Sequence, residues 1–394
     1  MDGLRRCVER HGGFVHKDLI IVDNVCGDLT KRTRAVYLRS DPGAVLSPEQ
    51  EFLSIPRSGL LTAENCRIAQ IISDLTEQYP ITEWDQLILA LIFEDTHRPS
   101  PWDEYLNFLP STLNSPLFWT SSERDLLSFT AASSSIGHYS IEDGFHERIA
   151  PIFSSHPDLF PSSFDQYKRF GALIMAYSFT IADQIAMVPV ADALNHISFS
   201  SNAKLFGDDA ESVSMEVVTA LLPGQELINT YGDVGNDTLL VRYGFMDSSD
   251  NPFTQIAIQY CQLSLSAMAY ERTDEFISVE EDDWLYLRWP KSNVSIVDQI
   301  PDEVQMLIVA DHVSEQQFQQ LVESETEMTM FDSVIMRSLV GCLKNMAQSS
   351  PPIPSSSSLS DYIANERLWL AQRLRHESDR ILHAWIDALI KAIV

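Results

Sequence analysis

Four short runs between residues 190 and 245 combine amide, imidazole and phenol side chains at spacings that suggest chemistry. Asn195 and His196 are adjacent, and Tyr231 and Tyr243 each precede a glycine. Each feature alone is weak, because an Asn-His pair beside an apolar run is usually a turn or a hydrogen-bonded core histidine, and Tyr-Gly-Phe is usually packing. The runs, in chain order, are Val190–His196, Ser201–Ala203, Leu222–Gly232 and Leu239–Phe245.

Motifs of several common enzyme classes are missing from the sequence. The 15 glycines include no Gly-x-Gly and no Gly-x-x-x-x-Gly-Lys, so nucleotide phosphate chemistry lacks its usual anchors. There is likewise no His-Glu-x-x-His zinc helix, no Gly-x-Ser-x-Gly nucleophile elbow and no EF-hand loop. Ordinary hydrolases are therefore unsupported, and no metal site is predicted.

The charge balance is strongly acidic. Among the 394 residues, 27 Lys and Arg stand against 56 Asp and Glu, which gives a net charge of −29. Such a surface repels nucleic acid and anionic membranes, and no run approaches the roughly 20 apolar residues of a membrane span. Five scattered cysteines argue against a disulfide framework. We therefore expect no nucleic-acid or membrane partner and a nuclear or cytoplasmic location.

Hydrophobic periodicity divides the chain into four parts. Residues 1–60 alternate like short strands between turns, whereas residues 61–170 place apolar side chains at helical spacings of three and four. Strand-like runs return in residues 171–250, and residues 251–394 end in an amphipathic helix. Residues 273–303 hold nine acids and two bases, which is typical of a solvated face. The sequence therefore predicts β-structure interrupted by a helical insertion and followed by a helical domain.

The order and spacing of these runs resemble the SET-domain lysine methyltransferases. In that family Asn-His is followed by a Gly-x-Glu-Leu-x-x-x-Tyr-Gly strand and then by a further tyrosine, as in 224–232 and at Tyr243. The helical insertion and Asp-x-x-Asn-His at 192–196 resemble the branch typified by the Rubisco large-subunit methyltransferase. This resemblance implies an α+β fold, with SET β-structure split by a helical insertion and followed by an all-helical C-terminal substrate-binding domain.

The resemblance also implies an activity. It is the transfer of a methyl group from S-adenosylmethionine to a lysine side-chain amine, an in-line displacement that requires alignment of two substrates and an uncharged amine, whose pKa falls on desolvation. Tyr231 and Tyr243 would be the catalytic residues that line the lysine channel. The implied cofactor-binding residues are Thr33, Arg34, Ala35, Asn195, His196 and Tyr243.

Two residues are implied on the substrate side, Asp192 and Ser178. For Asp192 a second interpretation has equal weight, because an aspartate before Asn-His also caps turns. The implied partner is a basic ribosomal or nuclear protein, bound by a monomer of this chain.

Two segments depart from the family pattern. Thr33-Arg34-Ala35 stands where the family has Gly-x-Gly, whose missing side chains admit the cofactor. Ala176-Tyr177-Ser178-Phe179 keeps the phenylalanine of Ser-Arg-x-Phe but not the Ser-Arg. Two hypotheses therefore stand, an active protein-lysine methyltransferase and a degenerate SET scaffold that binds a basic protein without catalysis.

Overall fold

The protein is described here by a computed structural model. It covers residues 2–23, 34–137, 141–198, 200–207, 211–247, 250–280, 282–323, 328–352 and 365–393. The chain divides into two compact units. The first comprises Met1–Phe118, Tyr139–Asp233 and Arg242–Gly244, and the second comprises Trp119–His138, Val234–Val241 and Phe245–Val394.

The first unit contains two four-stranded sheets and one hairpin. One sheet has the order β1-β4-β9-β8, the other has the order β2-β3-β10-β7, and β5 pairs with β6. The strands are β1 Phe14–Val15, β2 Leu19–Asp23, β3 Arg34–Leu38, β4 Glu51–Pro56, β5 Ser178–Ile181, β6 Gln184–Met187, β7 Asn195–His196, β8 Ala203–Phe206, β9 Ser212–Val217 and β10 Glu226–Asn229.

The sheet β2-β3-β10-β7 joins segments from both ends of the first unit. Strand β10 is antiparallel to β3, with Glu226 opposite Tyr37 and Leu227 opposite Val36. Strand β10 also pairs in parallel with β7, with Asn229 opposite His196. The side chain of Asn195 in β7 contacts the backbone of Arg34 in β3, although about 160 residues separate them in sequence.

Helices fill the middle of the first unit, as the periodicity predicted. Helix α3 is capped at its N-terminus by Thr82, whose side chain accepts a hydrogen bond from the backbone N–H of Asp85 in a capping box. Residues 87–92 are all buried, because this helix packs inside the core and not along its surface. The helices are α2 Ala69–Gln78, α3 Glu83–Thr96, α4 Asp103–Leu106, α7 Ile141–Gly144, α8 Ala150–Ser155 and α9 Phe164–Tyr177.

One element at the start of the chain differs from the prediction. We expected short strands throughout residues 1–60, but Asp2–Arg10 forms helix α1. Its buried side chains are Leu4, Cys7 and Val8, which recur at three and four residues and so form one helical face. The physical reason is that this short apolar stripe is buried only when the segment is helical.

A buried carboxylate ties three helical segments together in this unit. Asp85 is 1% exposed, and it accepts hydrogen bonds from Arg148 Nε at 2.7 Å and from the Tyr167 hydroxyl at 2.9 Å. Burial alone would raise the pKa of Asp85, but the hydrogen bonds from Arg148 and Thr82 hold it below its ordinary value. The charged form is therefore the one that the fold stabilises.

Arg148→Met is expected to lower the free energy of unfolding by about 3 kcal/mol, because it leaves a buried carboxylate without its cation. Urea denaturation of the variant and the wild type measures the loss. Arg39→Met is the matched control, because Arg39 pairs with Asp41 at an exposed site and should cost less than about 1 kcal/mol. Equal losses in the two variants would contradict the role given to Arg148.

The second unit is mainly helical. Its helices are α5 Ser121–Arg124, α6 Ala131–Gly137, α10 Asn236–Tyr243, α11 Ala267–Thr273, α12 Asp302–His312, α13 Glu315–Glu323, α14 Asp332–Ser349 and α15 Glu366–Ile393, of which α10 ends with Arg242 and Tyr243 in the first unit. No helix in the described part of the chain is long and apolar enough to cross a membrane.

A hairpin accompanies these helices, so the expectation of an all-helical C-terminal domain needs correction. Strands β11 Gln255–Gln259 and β12 Trp284–Arg288 pair antiparallel over five residue pairs. Alternation in β12 buries Leu285 and Leu287 in the same core as Ile256 and Ile258 of β11. In the sequence, the five residues of β12 are too few for their two-residue period to be recognised within the acidic run that surrounds them.

Candidate active site

Asn195 in β7 connects two neighbouring strands through its side-chain amide. Its Nδ2 donates to the backbone oxygen of Arg34 at 2.8 Å and to Glu226 Oε1 at 2.7 Å. Both amide hydrogens therefore have partners within the protein. This leaves the side-chain carbonyl oxygen of Asn195 as its acceptor for a ligand.

His196 is buried directly behind this amide. Its Nδ1 accepts a hydrogen bond from the Tyr231 backbone N–H at 3.0 Å, and its Nε2 lies 3.2 Å from Ser198 Oγ. Because Nδ1 is an acceptor, the geometry places the ring proton on Nε2. The imidazole thus positions Tyr231 and does not act as an exposed acid or base.

Two tyrosine rings lie beside the histidine, Tyr231 stacked on it and Tyr243 tilted against Tyr231. The ring of Tyr231 lies 5.0 Å from that of His196 and 4.7 Å from that of Tyr243, measured between centroids. The Tyr231 hydroxyl donates to the backbone oxygen of Leu194 at 2.8 Å, which fixes the ring. Burial raises the pKa of Tyr243 above its ordinary value, so its phenol stays protonated at neutral pH.

The glycine after each tyrosine is required by the turn. Gly232 has a φ of 96° and Gly244 a φ of 76°, a region that residues with side chains rarely adopt. A Cβ on Gly244 would also lie 2.8 Å from the backbone carbon of Asn114. Both Tyr-Gly pairs therefore owe their glycine to backbone geometry, which brings the two rings together.

Asp192 lies in a buried polar cluster. It is 6% exposed, its Oδ2 accepts a hydrogen bond from the Tyr105 hydroxyl at 2.6 Å, and its Oδ1 has no hydrogen-bond partner among the described residues. Burial raises the pKa of Asp192 to about 7, although the Tyr105 hydrogen bond and the charge of Arg34 oppose the shift. Burial also raises the pKa of the nearby Tyr177 to about 12.

The backbone before Asp192 is strained. Val190 has a φ of 73°, which is unfavourable for a β-branched side chain. It starts the short 3-10 turn Ala191–Ala193, which carries Asp192 into the core and leads to Asn195. Strain of this kind persists where the surrounding packing imposes it, and it is frequent at functional sites.

Asp192→Asn is expected to change the pH dependence of stability. The pKa in the folded protein, about 7, exceeds the ordinary 3.8, so between these values the folded state keeps a proton that the unfolded state releases. The free energy of unfolding of the wild type should therefore fall as pH rises from about 4 to about 7, and the variant should lose this slope. Melting temperatures at about pH 5 and about pH 8 test the prediction.

Asp158→Asn, at an exposed carboxylate, is the control for this measurement. Asp237, whose pKa burial raises to about 6, contributes equally in all three proteins and cancels in the comparison. Parallel melting curves for the wild type and Asp192→Asn across this range would contradict the assignment.

The side chain of Arg34 packs on Phe108. Its guanidinium lies 4.5 Å from the centroid of the Phe108 ring and donates to the Phe108 backbone oxygen. Ala35 is 3% exposed, so its methyl group is buried within the protein. The side chains of Arg34 and Ala35 are thus accommodated inside the first unit. Of the two residues that replace the glycines of Gly-x-Gly, Ala35 is the described one, whereas Thr33 lies outside the described residues.

The predicted site residues fall into three groups. Asn195, His196, Tyr231 and Tyr243 form one contact network with the backbone of Arg34. Asp192 is buried against Tyr105 in the short turn Ala191–Ala193, and its two interpretations, a contact on the substrate side and a capped turn, stay predictions. Ser178 is half-buried at the start of β5, opposite Met187 of β6.

Two residues of the site were missed in the sequence. Glu226 was quoted within Gly-x-Glu-Leu but given no role, and its carboxylate contacts Asn195. Tyr105 lies in the Pro101–Pro110 run, about 90 residues before Asp192. An acidic residue inside an otherwise apolar strand was the available signal for Glu226, whereas nothing local marked Tyr105.

Curated relatives match part of the chain. The N-lysine methyltransferase setd6 of Danio rerio is 30% identical over 259 residues, which are 59% of this chain and 56% of that protein. The N-lysine methyltransferase SETD6 of Rattus norvegicus is 33% identical over 229 residues, 52% of this chain and 47% of that protein. The chain thus spans about half the length of the curated relatives it matches. No family model matches it.

Solved structures match nearly all of the chain. The SET domain of LSMT bound to methyllysine and AdoHcy superposes with a TM-score of 0.71 at 13% identity, covering 99% of this chain and 92% of that one. The chain has the fold of the LSMT SET-domain structure. Rubisco LSMT bound to AdoMet matches this chain with the same TM-score at 12% identity, over 100% of this chain and 92% of that one.

The prediction of an α+β fold is thereby confirmed, and the similarity to N-lysine methyltransferases and to Rubisco LSMT agrees with the predicted resemblance. At 12–13% identity the structural likeness establishes the fold. An activity of this chain has to follow from its own residues.

Proposed function

We propose that this protein transfers a methyl group from S-adenosylmethionine to the side-chain amine of a lysine in a protein substrate. The observation that carries the proposal is the single network in which Asn195 and His196 adjoin the neighbouring rings of Tyr231 and Tyr243. The names of the relatives, N-lysine methyltransferases, and the ligands of the structural neighbours, AdoMet and AdoHcy, support it.

The hydrogen-bonding groups at Asn195 fit S-adenosylmethionine. The carbonyl oxygen of Asn195 is an acceptor for an amine of the cofactor, because both amide hydrogens are already used. The faces of Tyr231 and Tyr243 are aromatic surfaces of the kind that attract cations such as a sulfonium. When bound, the cofactor supplies an activated methyl group, and no covalent intermediate with the protein is needed.

The tyrosines have separate tasks in this proposal. The Tyr231 hydroxyl is held by the Leu194 carbonyl, so its ring forms a fixed wall. Tyr243 keeps its proton, because burial raises its pKa, and its hydroxyl orients the lysine amine. The same aromatic walls exclude water, which lowers the pKa of an entering lysine and favours its reactive neutral form.

For the substrate we propose a basic ribosomal or nuclear protein, which the enzyme meets as a monomer in the nucleus or cytoplasm. The support is the net charge of −29, since a lysine-rich partner is steered toward an acidic surface at low ionic strength. High salt should then slow substrate capture and leave cofactor affinity nearly unchanged.

Calorimetric titration with S-adenosylmethionine, alongside transfer of labelled methyl groups to whole-cell extract, tests the proposal. A heat of binding and labelled lysines support it. If the protein binds no cofactor but still captures a basic protein, the degenerate scaffold is favoured. In that case Thr33→Gly combined with Ala35→Gly should restore cofactor binding, because glycines let the backbone approach a ligand closely.

A further inference from the structure

Strands β3 and β10 are joined in two ways at the site. Backbone pairing links Glu226 with Tyr37 and Leu227 with Val36. At Arg34, farther along β3, the backbone oxygen accepts its hydrogen bond from the Asn195 side chain of β7. The position of the Arg34 carbonyl therefore depends on how the Asn195 amide is oriented.

Glu226 determines that orientation. A side-chain amide is planar, and its two Nδ2 hydrogens here point to two acceptors, the Arg34 oxygen at 2.8 Å and Glu226 Oε1 at 2.7 Å. A flipped amide would place its own oxygen against both acceptors, which repel it. The carboxylate is the stronger acceptor of the two, because hydrogen bonds to charged groups are about twice as strong as neutral ones.

Glu226 is itself held on both sides. The Tyr37 hydroxyl donates to Glu226 Oε2 at 3.4 Å, and burial together with this carboxylate raises the pKa of Tyr37, which keeps its hydroxyl protonated. The backbone oxygen of Glu226 accepts from Asn202 Nδ2 at 2.8 Å, and Asn202 Oδ1 accepts from the Ile228 N–H at 2.8 Å. The carboxylate is thus anchored on a fixed strand.

We propose that Glu226 is a positioning residue that sets the Asn195 amide and, through it, the Arg34 carbonyl of the cofactor-binding segment. The inference rests on the proposed function, in that the ligand whose site is positioned is S-adenosylmethionine. According to this inference, the carboxylate of Glu226 keeps the backbone at Arg34 and Ala35 rigid. These two residues stand at the last two positions of the family's Gly-x-Gly.

The test compares Glu226→Ala and Glu226→Gln with Glu216→Ala, which removes a half-buried carboxylate from β9 in the other sheet. Hydrogen exchange of residues 34–38 without any ligand is the first readout, and calorimetric affinity for S-adenosylmethionine is the second. Glu226→Ala should speed exchange in 34–38 and weaken binding about tenfold. Glu226→Gln keeps an acceptor and should stay within about threefold of the wild type.

Each outcome has a separate meaning. Exchange and affinity of Glu226→Ala equal to those of Glu216→Ala would overturn the inference. A wild-type protein that binds no S-adenosylmethionine contradicts the proposed function instead, while the exchange readout still decides whether Glu226 positions the strand. Should Glu226→Ala fail to fold, Glu226→Asp withdraws the carboxylate by one methylene, and unchanged exchange in that variant overturns the inference equally.

Discussion

Replacing Asn195 with alanine is expected to weaken S-adenosylmethionine binding by about 10- to 100-fold and to reduce methyl transfer at least as much. The change removes the amide that bonds the Arg34 carbonyl and Glu226, and the carbonyl oxygen assigned to the ligand. Hydrogen bonds that involve charged groups contribute about 1.5–3 kcal/mol, and each 1.4 kcal/mol corresponds to about tenfold in affinity. Calorimetric titration measures the binding constant directly.

Asn107→Ala is the matched control for this measurement, because it removes an exposed amide at the end of α4 in the same unit. Both variants should melt within a few degrees of the wild type if the effect of Asn195 is local. If the cofactor affinities of Asn195→Ala and Asn107→Ala differ by less than about twofold, the assignment of Asn195 to the cofactor site is contradicted.

The second large effect is expected for Tyr243→Phe. Loss of the hydroxyl should reduce the rate of methyl transfer by about 100-fold, the usual order for one positioned hydrogen-bonding group, with the affinity for S-adenosylmethionine nearly unchanged. The ring remains, so its contact with the Tyr231 ring at 4.7 Å is retained. Single-turnover methyl transfer to a substrate protein whose target lysine is unmethylated separates this loss of rate from binding.

A pH comparison distinguishes orientation of the amine from proton transfer by Tyr243. Burial raises the pKa of Tyr243 above its ordinary 10.0, so the hydroxyl stays protonated throughout the assay range. The ratio of wild-type to variant rates should therefore be the same at about pH 7 and about pH 9. Tyr79→Phe, which removes a hydroxyl that contacts Ser155, serves as the control. A Tyr243→Phe rate equal to the Tyr79→Phe rate would contradict the assignment.

Several features of the fold follow from local sequence alone. The helical spacing in residues 61–170 predicted the helices α2–α9, because an apolar face repeats every three or four residues whatever it packs against. The Pro223-Gly224 turn before β10 is likewise local, since Gly224 adopts a φ of 80°. The hairpin β11–β12 and helix α1 were missed, because both are short segments whose apolar pattern acquires meaning only when a core receives it.

Local sequence was enough to predict which side chains meet at the candidate site. Asn195, His196, Tyr231 and Tyr243 were recognisable from their order and spacing, and the structure brings them into contact. Their chemistry was likewise readable, because amide, imidazole and phenol groups have the same donors and acceptors in any fold.

Only the tertiary structure decided how those groups are oriented. The parallel pairing of β10 with β7 places the amide of Asn195 between Arg34 and Glu226, across 161 and 31 residues of sequence. The burial of Asp192 against Tyr105 depends on a contact across 87 residues. Hydrogen-bond direction and desolvation are set by neighbours in space. A linear pattern therefore identifies the candidate groups, whereas the fold determines which of their atoms can face a ligand.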